Sequence, residues 1–154
     1  MWDKVLSTGR RVFGIASDDA HDYFVPYKRL APTAGTGFIM VKADGLDRKK
    51  ILDAFSRGRF YASTGIALDE YRVVSGEIYA RLRPFNSYEK AAFEFFGKGG
   101  EKLQSSFGTE SKFKFNAKIE YARLRISSAS GAWAWRQPIF KDEIADAERW
   151  TSDD

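Results

Sequence analysis

The sequence contains no cysteine, a single histidine and no long apolar run. Without cysteine the chain has no disulfide, no zinc–thiolate site and no thiol nucleophile. The same absence favours a reduced, cytoplasmic setting, with a cysteine-free secreted protein as the alternative. No apolar stretch is long enough to span a membrane, and residues 1–7 are too polar for a signal peptide. We therefore expect a water-soluble protein without a membrane partner.

Apolar and charged side chains are plentiful, and the charge is unevenly distributed. Hydrophobic residues make up 44% of the chain and aromatic residues 16%, which is ample for a packed core. The net charge is +4, and residues 1–65 account for it with 11 basic and 7 acidic side chains. Residues 66–154 carry 14 of each. This asymmetry predicts two regions, 1–65 and 66–154, with any attraction for anions in the first.

The first region has the pattern of mixed α/β structure. Its apolar residues form short runs separated by glycine, proline and acidic residues, as expected for helices and strands with loops between them. The run at residues 11–16 is apolar on both faces, which is typical of a strand in a parallel sheet. The predicted elements are a helix end at 3–8 closed by Gly9, a strand at 11–16, a loop at 23–37, a strand at 38–41, and a helix capped by Asp47 that ends at Gly58.

The second region alternates apolar and polar residues with a period of two. Glycine- and serine-rich turns at 97–100 and 127–131 separate the alternating runs, which favours a small antiparallel β-sandwich. We also expect a short helix within residues 142–154. The apolar positions of the predicted strands are Ile78, Ala80 and Leu82; Ala91, Phe93 and Phe95; Phe113, Phe115 and Ala117; and Ala122, Leu124 and Ile126. The predicted fold class is therefore α+β.

The only histidine follows the predicted strand at 11–16, close to several carboxylates. Asp19 and His21 are two residues apart, so at the end of a strand their side chains would point the same way and supply half of a metal site. From the residues alone, an exposed loop histidine beside solvated acids explains this segment better. Asp18 and Asp22 are solvated loop acids by default, with Asp18 as a candidate to orient a metal ligand.

Several segments together resemble the C-terminal part of the PHP (polymerase and histidinol phosphatase) metallohydrolases. An Asp-x-His tripeptide, found here at 19–21, is common and has little specificity alone. It becomes fairly specific when Gly-Arg-Phe-Tyr-Ala-Ser-Thr-Gly follows at a similar spacing, here at 58–65. The matching segments cover nearly the whole chain and are residues 2–10, 12–23, 37–41, 51–65 and 134–139.

This resemblance implies a distorted α/β barrel that holds a cluster of metal ions and hydrolyses phosphate esters or, in some branches, amide or carbamate bonds. Asp19 and His21 correspond to the last metal ligands of the family. Carboxylate and imidazole suit zinc, manganese or iron. The earlier ligands, which include an N-terminal His-x-His and a glutamate, have no counterpart in a chain with one histidine. We therefore expect a truncated phosphoesterase, with no catalytic residues assigned, that is inactive in isolation.

Two functional hypotheses remain open. In the first, residues 1–65 are the remnant of a barrel and residues 66–154 a β-sandwich. The parent enzyme would act on a small phosphorylated substrate, and the fragment would form homo-oligomers through its exposed strands. In the second, the chain is a stand-alone β-sandwich that binds a protein or a carbohydrate. Trp133 and Trp135 are candidates to stack on sugars, although packing is the favoured role. We expect no nucleic-acid partner, because the basic residues at 48–50 fit the solvated face of a helix.

Overall fold

Two antiparallel sheets with a common core make up most of the fold. The computed structural model describes residues 1–21, 34–83 and 89–144, and the backbone of 148–151. Short 3₁₀ turns cover Lys98–Gly100 and Lys141–Glu143. The helices and strands are α1 (Trp2–Leu6), β1 (Phe38–Val41), α2 (Arg48–Ser56), β2 (Phe60–Ser63), β3 (Leu68–Val74), β4 (Glu77–Leu82), β5 (Ala91–Phe96), β6 (Lys102–Gly108), β7 (Glu110–Lys114), β8 (Tyr121–Ser128), β9 (Trp133–Arg136), β10 (Ile139–Phe140) and β11 (Glu148–Thr151).

The larger sheet has seven strands in the order β1-β2-β9-β8-β5-β6, with β10 paired to β8. The smaller sheet has the order β11-β3-β4-β7. Apolar side chains of both sheets meet in one cluster, to which Ile78 and Tyr71 contribute from the smaller sheet and Phe93 and Leu124 from the larger. The predicted α+β fold class is therefore confirmed in its coarse form, and the described residues are mostly antiparallel β-structure.

The period-two pattern of the second region corresponds to real strands. Ile78 and Ala80 are fully buried on β4, as are Phe93 and Phe95 on β5. Ala122, Leu124 and Ile126 are buried in the same way on β8. Strand β7 includes Phe113 but ends at Lys114, before Phe115 and Ala117. Alternation along the sequence therefore located the inner faces of these sheets.

The helix predicted after Asp47 is confirmed, including both of its ends. The Asp47 carboxylate accepts hydrogen bonds from the backbone N–H groups of Lys49 and Lys50, at 2.9 and 3.1 Å. Gly58 follows the helix with φ +70°, a conformation that an L-residue rarely adopts. Within α2 only Ala54 is buried, while Leu52 and Phe55 on its predicted apolar face remain 54% and 39% exposed.

The strand predicted at residues 11–16 is wrong. These residues belong to no backbone ladder. The backbone N–H and C=O of Gly14 instead bond to the side-chain amide of Gln137, both at 2.8 Å. Because a strand exists only when another strand pairs with it, an apolar run is insufficient by itself. In the described ranges every ladder is antiparallel, including β1 with β2, so the expected parallel pairing is also wrong.

The helix predicted within residues 142–154 is a further error. A 3₁₀ turn at Lys141–Glu143 is followed by β11, which pairs with β3. Ala145 and Ala147, which were expected on the apolar face of that helix, lie outside the described residues. The edge of β3 accepts Glu148–Thr151 as the fourth strand of the smaller sheet, and sheet pairing thus outweighs local helix preference there.

The two predicted regions share the larger sheet. Strand β2 pairs with β9, in the register Tyr61 opposite Arg136 and Ser63 opposite Ala134. Helix α1 also packs on this sheet: Leu6 is 1% exposed, and the Asp3 carboxylate accepts two hydrogen bonds from Arg123, at 2.6 and 2.5 Å. In the described part of the chain no helix has the length and apolar character needed to cross a membrane.

Candidate functional site

A groove of about 390 Å³ opens where residues 14–18 run beside the edge of the larger sheet. Its walls come from α1, from the segment leading to Asp18, and from the ends of β2 and β9. The side chains that define it are Trp2, Ile15, Asp18, Ala62, Thr64 and Trp135. Of these side chains, two indoles, an isoleucine and an alanine make the groove mostly apolar, and one hydroxyl and one carboxylate are polar. This is the usual composition of a ligand pocket.

Two glycines allow the chain to form this groove. A Cβ at Gly14 would lie 2.9 Å from the ring of Trp2, and a Cβ at Gly37 would lie 2.7 Å from the carbonyl oxygen of Ser17. Both distances are too short for a side chain. Trp2 is also fixed by a 2.8 Å hydrogen bond from its indole N–H to the carbonyl of Val12. The first helix and the segment after it therefore pack as one wall.

Trp133 and Trp135 lie on the same face of β9, as their spacing predicts. Their rings stack with centroids 6.0 Å apart and planes 10° from parallel. Trp133 also packs against the guanidinium of Arg125, 5.3 Å from its ring centroid. Of the two, Trp135 lines the groove. Trp133 therefore packs against other side chains of the sheet, whereas Trp135 lies at the candidate ligand surface.

The hydroxyl groups of Ser63 and Thr64 bind the backbone at the end of β2. The Ser63 hydroxyl donates to the carbonyl of Ile66 at 2.7 Å and accepts from the N–H of Gly65 at 3.0 Å. The Thr64 hydroxyl oxygen accepts from the N–H of Trp133 at 2.8 Å. These bonds fix the corner between β2 and β9, so neither hydroxyl is arranged as a nucleophile.

Asp18 holds the loop that precedes β1. One carboxylate oxygen accepts from the backbone N–H of Gly35 at 2.6 Å, and the other accepts from that of Ala20 at 3.1 Å. The hydrogen bond from Gly35, followed by that from Ala20, lowers the pKa of this carboxyl below its usual value. Asp18 is therefore an ionised loop anchor at the wall of the groove. Asp22 lies outside the described residues.

Asp19 and His21 are both exposed and lie just beyond this anchor. Asp19 has φ +54°, so strand alternation does not align the two side chains as the sequence argument assumed. The Nδ1 atom of His21 instead lies 2.6 Å from the carbonyl oxygen of Asp19. Because a carbonyl only accepts, Nδ1 carries a hydrogen in this contact, and a tautomer with Nδ1–H has its free lone pair on Nε2. Metal-binding histidines are commonly oriented in this way.

These residues do not make a complete catalytic metal centre. A catalytic zinc site takes about three protein ligands. Across residues 1–21, 34–83 and 89–144, no group of three or more histidine, aspartate and glutamate side chains is placed to hold a metal ion. Asp19 and His21 offer at most two ligands.

The chain was compared with protein-family models, with curated proteins and with solved structures. It matches none of them. The functional argument therefore depends on the groove, on the Asp19–His21 pair and on the exposed surfaces of the chain.

Sequence reasoning missed three residues that shape this site: Trp2, Gly14 and Gln137. Gln137 is 2% exposed and binds the backbone of Gly14, far away in the sequence. A glutamine between the strand residues Trp133–Arg136 and a proline is the one local signal that could have marked it, since a buried amide needs partners.

Proposed function

We propose that this chain is the C-terminal part of a PHP-type metal-dependent phosphoesterase that acts on a small phosphate ester. In this proposal residues 1–65 complete an α/β barrel, and residues 66–154 form a β-sandwich attached to it. Asp19 and His21 bind one divalent metal ion, either zinc, manganese or iron, together with ligands from polypeptide outside this sequence. Such ions activate water for hydrolysis in enzymes of this kind.

The observation that carries the proposal is the exposure of apolar side chains at residues 11–16. Their pattern is that of a strand covered on both faces, yet Val12, Phe13 and Ile15 are 38%, 37% and 66% exposed. Exposed apolar side chains grouped in this way are typical of a surface that another polypeptide covers. The exposed run therefore supports a covering polypeptide on this side of the chain, as the proposal requires.

The same surface continues onto α2. The ring of Phe60 contacts Phe13 edge-on at 5.9 Å and stacks with Phe55 at 4.8 Å. Phe60 itself is buried, while Phe13 and Phe55 are more than one-third exposed. Phe13 and Phe55 thus meet at one buried ring, and exposed apolar side chains of this kind are typical of a surface that another polypeptide covers. We call the exposed side chains of Val12, Phe13, Ile15, Leu52 and Phe55 the apolar surface.

The orientation of His21 supports its role as a ligand. Its Nδ1–H donates to the carbonyl of Asp19, which leaves Nε2 as the ring nitrogen that can bind a metal ion. With two ligands at most, we expect the isolated chain to bind zinc or manganese weakly and to hydrolyse no phosphate ester.

Metal titration by calorimetry tests this role. We expect the Asp19→Asn and His21→Gln variants each to lose most of the zinc binding of the unmodified chain. Asparagine is chosen because it tolerates the left-handed backbone of Asp19, so that only the charge is removed. Glu101→Gln, which neutralises an exposed acid elsewhere, is the matched control. Equal binding by all variants would contradict the metal role, and turnover of an aryl phosphate by the isolated chain would contradict its inactivity.

A second candidate function is binding of a ring-shaped ligand, such as a sugar, by a stand-alone β-sandwich module. The groove favours it, because the indoles of Trp2 and Trp135 line the groove together with the polar side chains of Asp18 and Thr64. Under this hypothesis Trp135→Ala abolishes the change in tryptophan fluorescence on adding an oligosaccharide, while Trp133→Ala preserves it. No saturable change in the unmodified chain would reject this second function.

A further inference from the structure

A second cleft, of about 290 Å³, lies between the end of β1, helix α2 and the start of β2. Six charged side chains define it: Lys42, Asp44, Lys49, Lys50, Asp53 and Arg59. The sequence pattern places Lys49 and Lys50 on the solvated face of a helix. The fold brings them together with Lys42 and Arg59, which come from two other elements.

Backbone hydrogen bonds hold these elements in a fixed arrangement. The N–H of Lys42 donates to the carbonyl of Arg59, and the N–H of Arg59 donates to the carbonyl of Ala54, both at 2.9 Å. Ala54 is 2% exposed, so α2 is seated firmly against the strands at this point. The cationic side chains therefore extend from a common rigid frame, which lowers the entropy that a ligand must overcome to order them.

The cleft carries an excess of positive charge. Four of its side chains are cationic and two are acidic. One acid, Asp53, already accepts a 2.8 Å hydrogen bond from Arg57, a cation that does not line the cleft. Lys50 donates to the neutral backbone carbonyl of Asp44 at 2.7 Å, which holds its ammonium in place without cancelling its charge.

The chemistry of these groups selects a phosphate. Lysine ammonium groups and an arginine guanidinium form charge-assisted hydrogen bonds to phosphate oxygens, and a dianion relieves the repulsion among the cations. We propose that this cleft binds the phosphate group of a small ligand, with Lys49, Lys50 and Arg59 as its contacts. The confined shape and the two carboxylates favour a compact anion over an extended polyanion. The proposal does not depend on the metal role of Asp19 and His21.

Amide NMR shifts test the proposal. The unmodified chain is titrated at low ionic strength with inorganic phosphate and, separately, with glycerol phosphate. We expect saturable shifts for the amides of residues 42–44, 49–54 and 59 with either probe. A preference for glycerol phosphate would identify an ester as the ligand, a preference for inorganic phosphate would identify the free ion, and equal binding would show that the cleft contacts the phosphate group alone. Shifts that never saturate, or that are absent from these amides, would overturn the proposal.

The double variant Lys49→Gln and Arg59→Gln removes two contacts and should weaken binding at least about tenfold, as expected for lost charge-assisted hydrogen bonds. The matched control is Lys112→Gln and Lys114→Gln, which removes the same charge from exposed positions on β7 and should leave binding unchanged. Equal weakening by both double variants would mean that net charge alone attracts phosphate, and the site would be rejected. Asp19→Asn should retain phosphate binding, so failure of the metal proposal is separable from failure of this one.

Discussion

Many large apolar side chains are exposed in residues 1–65, whereas most are buried in the described residues from 66 onward, which we call the two-sheet body. Among the described residues, eight of the large apolar side chains that stay exposed precede residue 66, and only Val74 and Phe107 follow it. Phenylalanines of the body such as Phe93 and Phe95 are instead fully buried, at 0% exposed. The same types of residue thus form a core in one region and a surface in the other. The difference indicates that the side chains at residues 12–15 and on the outer face of α2 are left uncovered by the other residues that the structure describes.

The largest expected effect is on stability and separates the two regions directly. Phe93→Ala should lower the free energy of unfolding by about 3–5 kcal/mol, because it leaves a cavity in a closed core. Phe55→Ala should lower it by less than about 1 kcal/mol, because that ring is partly exposed. Urea denaturation of the two variants measures the contrast. Equal losses would show that α2 belongs to the same closed core as β5, and the distinction would fail.

The success of local patterns in the body has a physical reason. A half-buried antiparallel strand needs alternation, and β4, β5 and β8 have it with buried residues at the expected positions. Helix α2 could be predicted equally well, because Asp47 and Gly58 provide its start and stop signals within the local sequence. These elements are specified by residues close to them in the chain.

Elements that depend on distant partners could not be predicted in this way. Residues 11–16 have a strand pattern, but no strand of the described residues pairs with them. Glu148–Thr151 becomes a strand because the edge of β3 is available. Strand β6 is polar along most of its length and gave no signal, since an edge strand needs little apolar surface.

The candidate site likewise contains residues that the local sequence marks and residues that only the fold brings together. Asp19 and His21 stood out in the sequence because the histidine is unique. The groove did not, because Trp2 and Trp135 come from opposite ends of the chain and meet only in the fold.

The second expected effect is on association. We predict that the isolated chain forms a homodimer at micromolar concentration, because pairing would remove the apolar surface from water. The double variant Ile15→Asp and Leu52→Asp should raise the dimer dissociation constant at least about tenfold, since it places charges in the interface. Both side chains are more than half exposed, so folding should be unaffected.

Light scattering measures this equilibrium, and Phe107→Asp is its control. Phe107 is 70% exposed but lies on β6 in the two-sheet body, so its variant should dimerise like the unmodified chain. A chain that stays monomeric at micromolar concentration would contradict the prediction. Dissociation caused by Phe107→Asp instead would move the interface to the body.

The smallest expected effect concerns the link between the regions. Gln137→Ala removes both hydrogen bonds to the backbone of Gly14 and should cost about 1 kcal/mol. The amide of Gly14 should then exchange with solvent roughly tenfold faster, while the amides of β5 should be little changed. Hydrogen-exchange NMR measures the exchange rates of the Gly14 amide and of the β5 amides separately. Unchanged exchange at Gly14 would mean that other contacts hold residues 11–16 against the sheet.

The amide of Gln137 also limits what residues 11–16 can join. Its two hydrogen bonds occupy both backbone groups of Gly14, and the indole of Trp2 occupies the carbonyl of Val12. A bare strand offers two sides for pairing and can propagate into a fibre. Here side chains already occupy the backbone groups of Val12 and Gly14, so another chain cannot pair with that side of the segment. Residues 11–16 therefore cannot pass strand pairing from one side to the other, as a growing fibre requires.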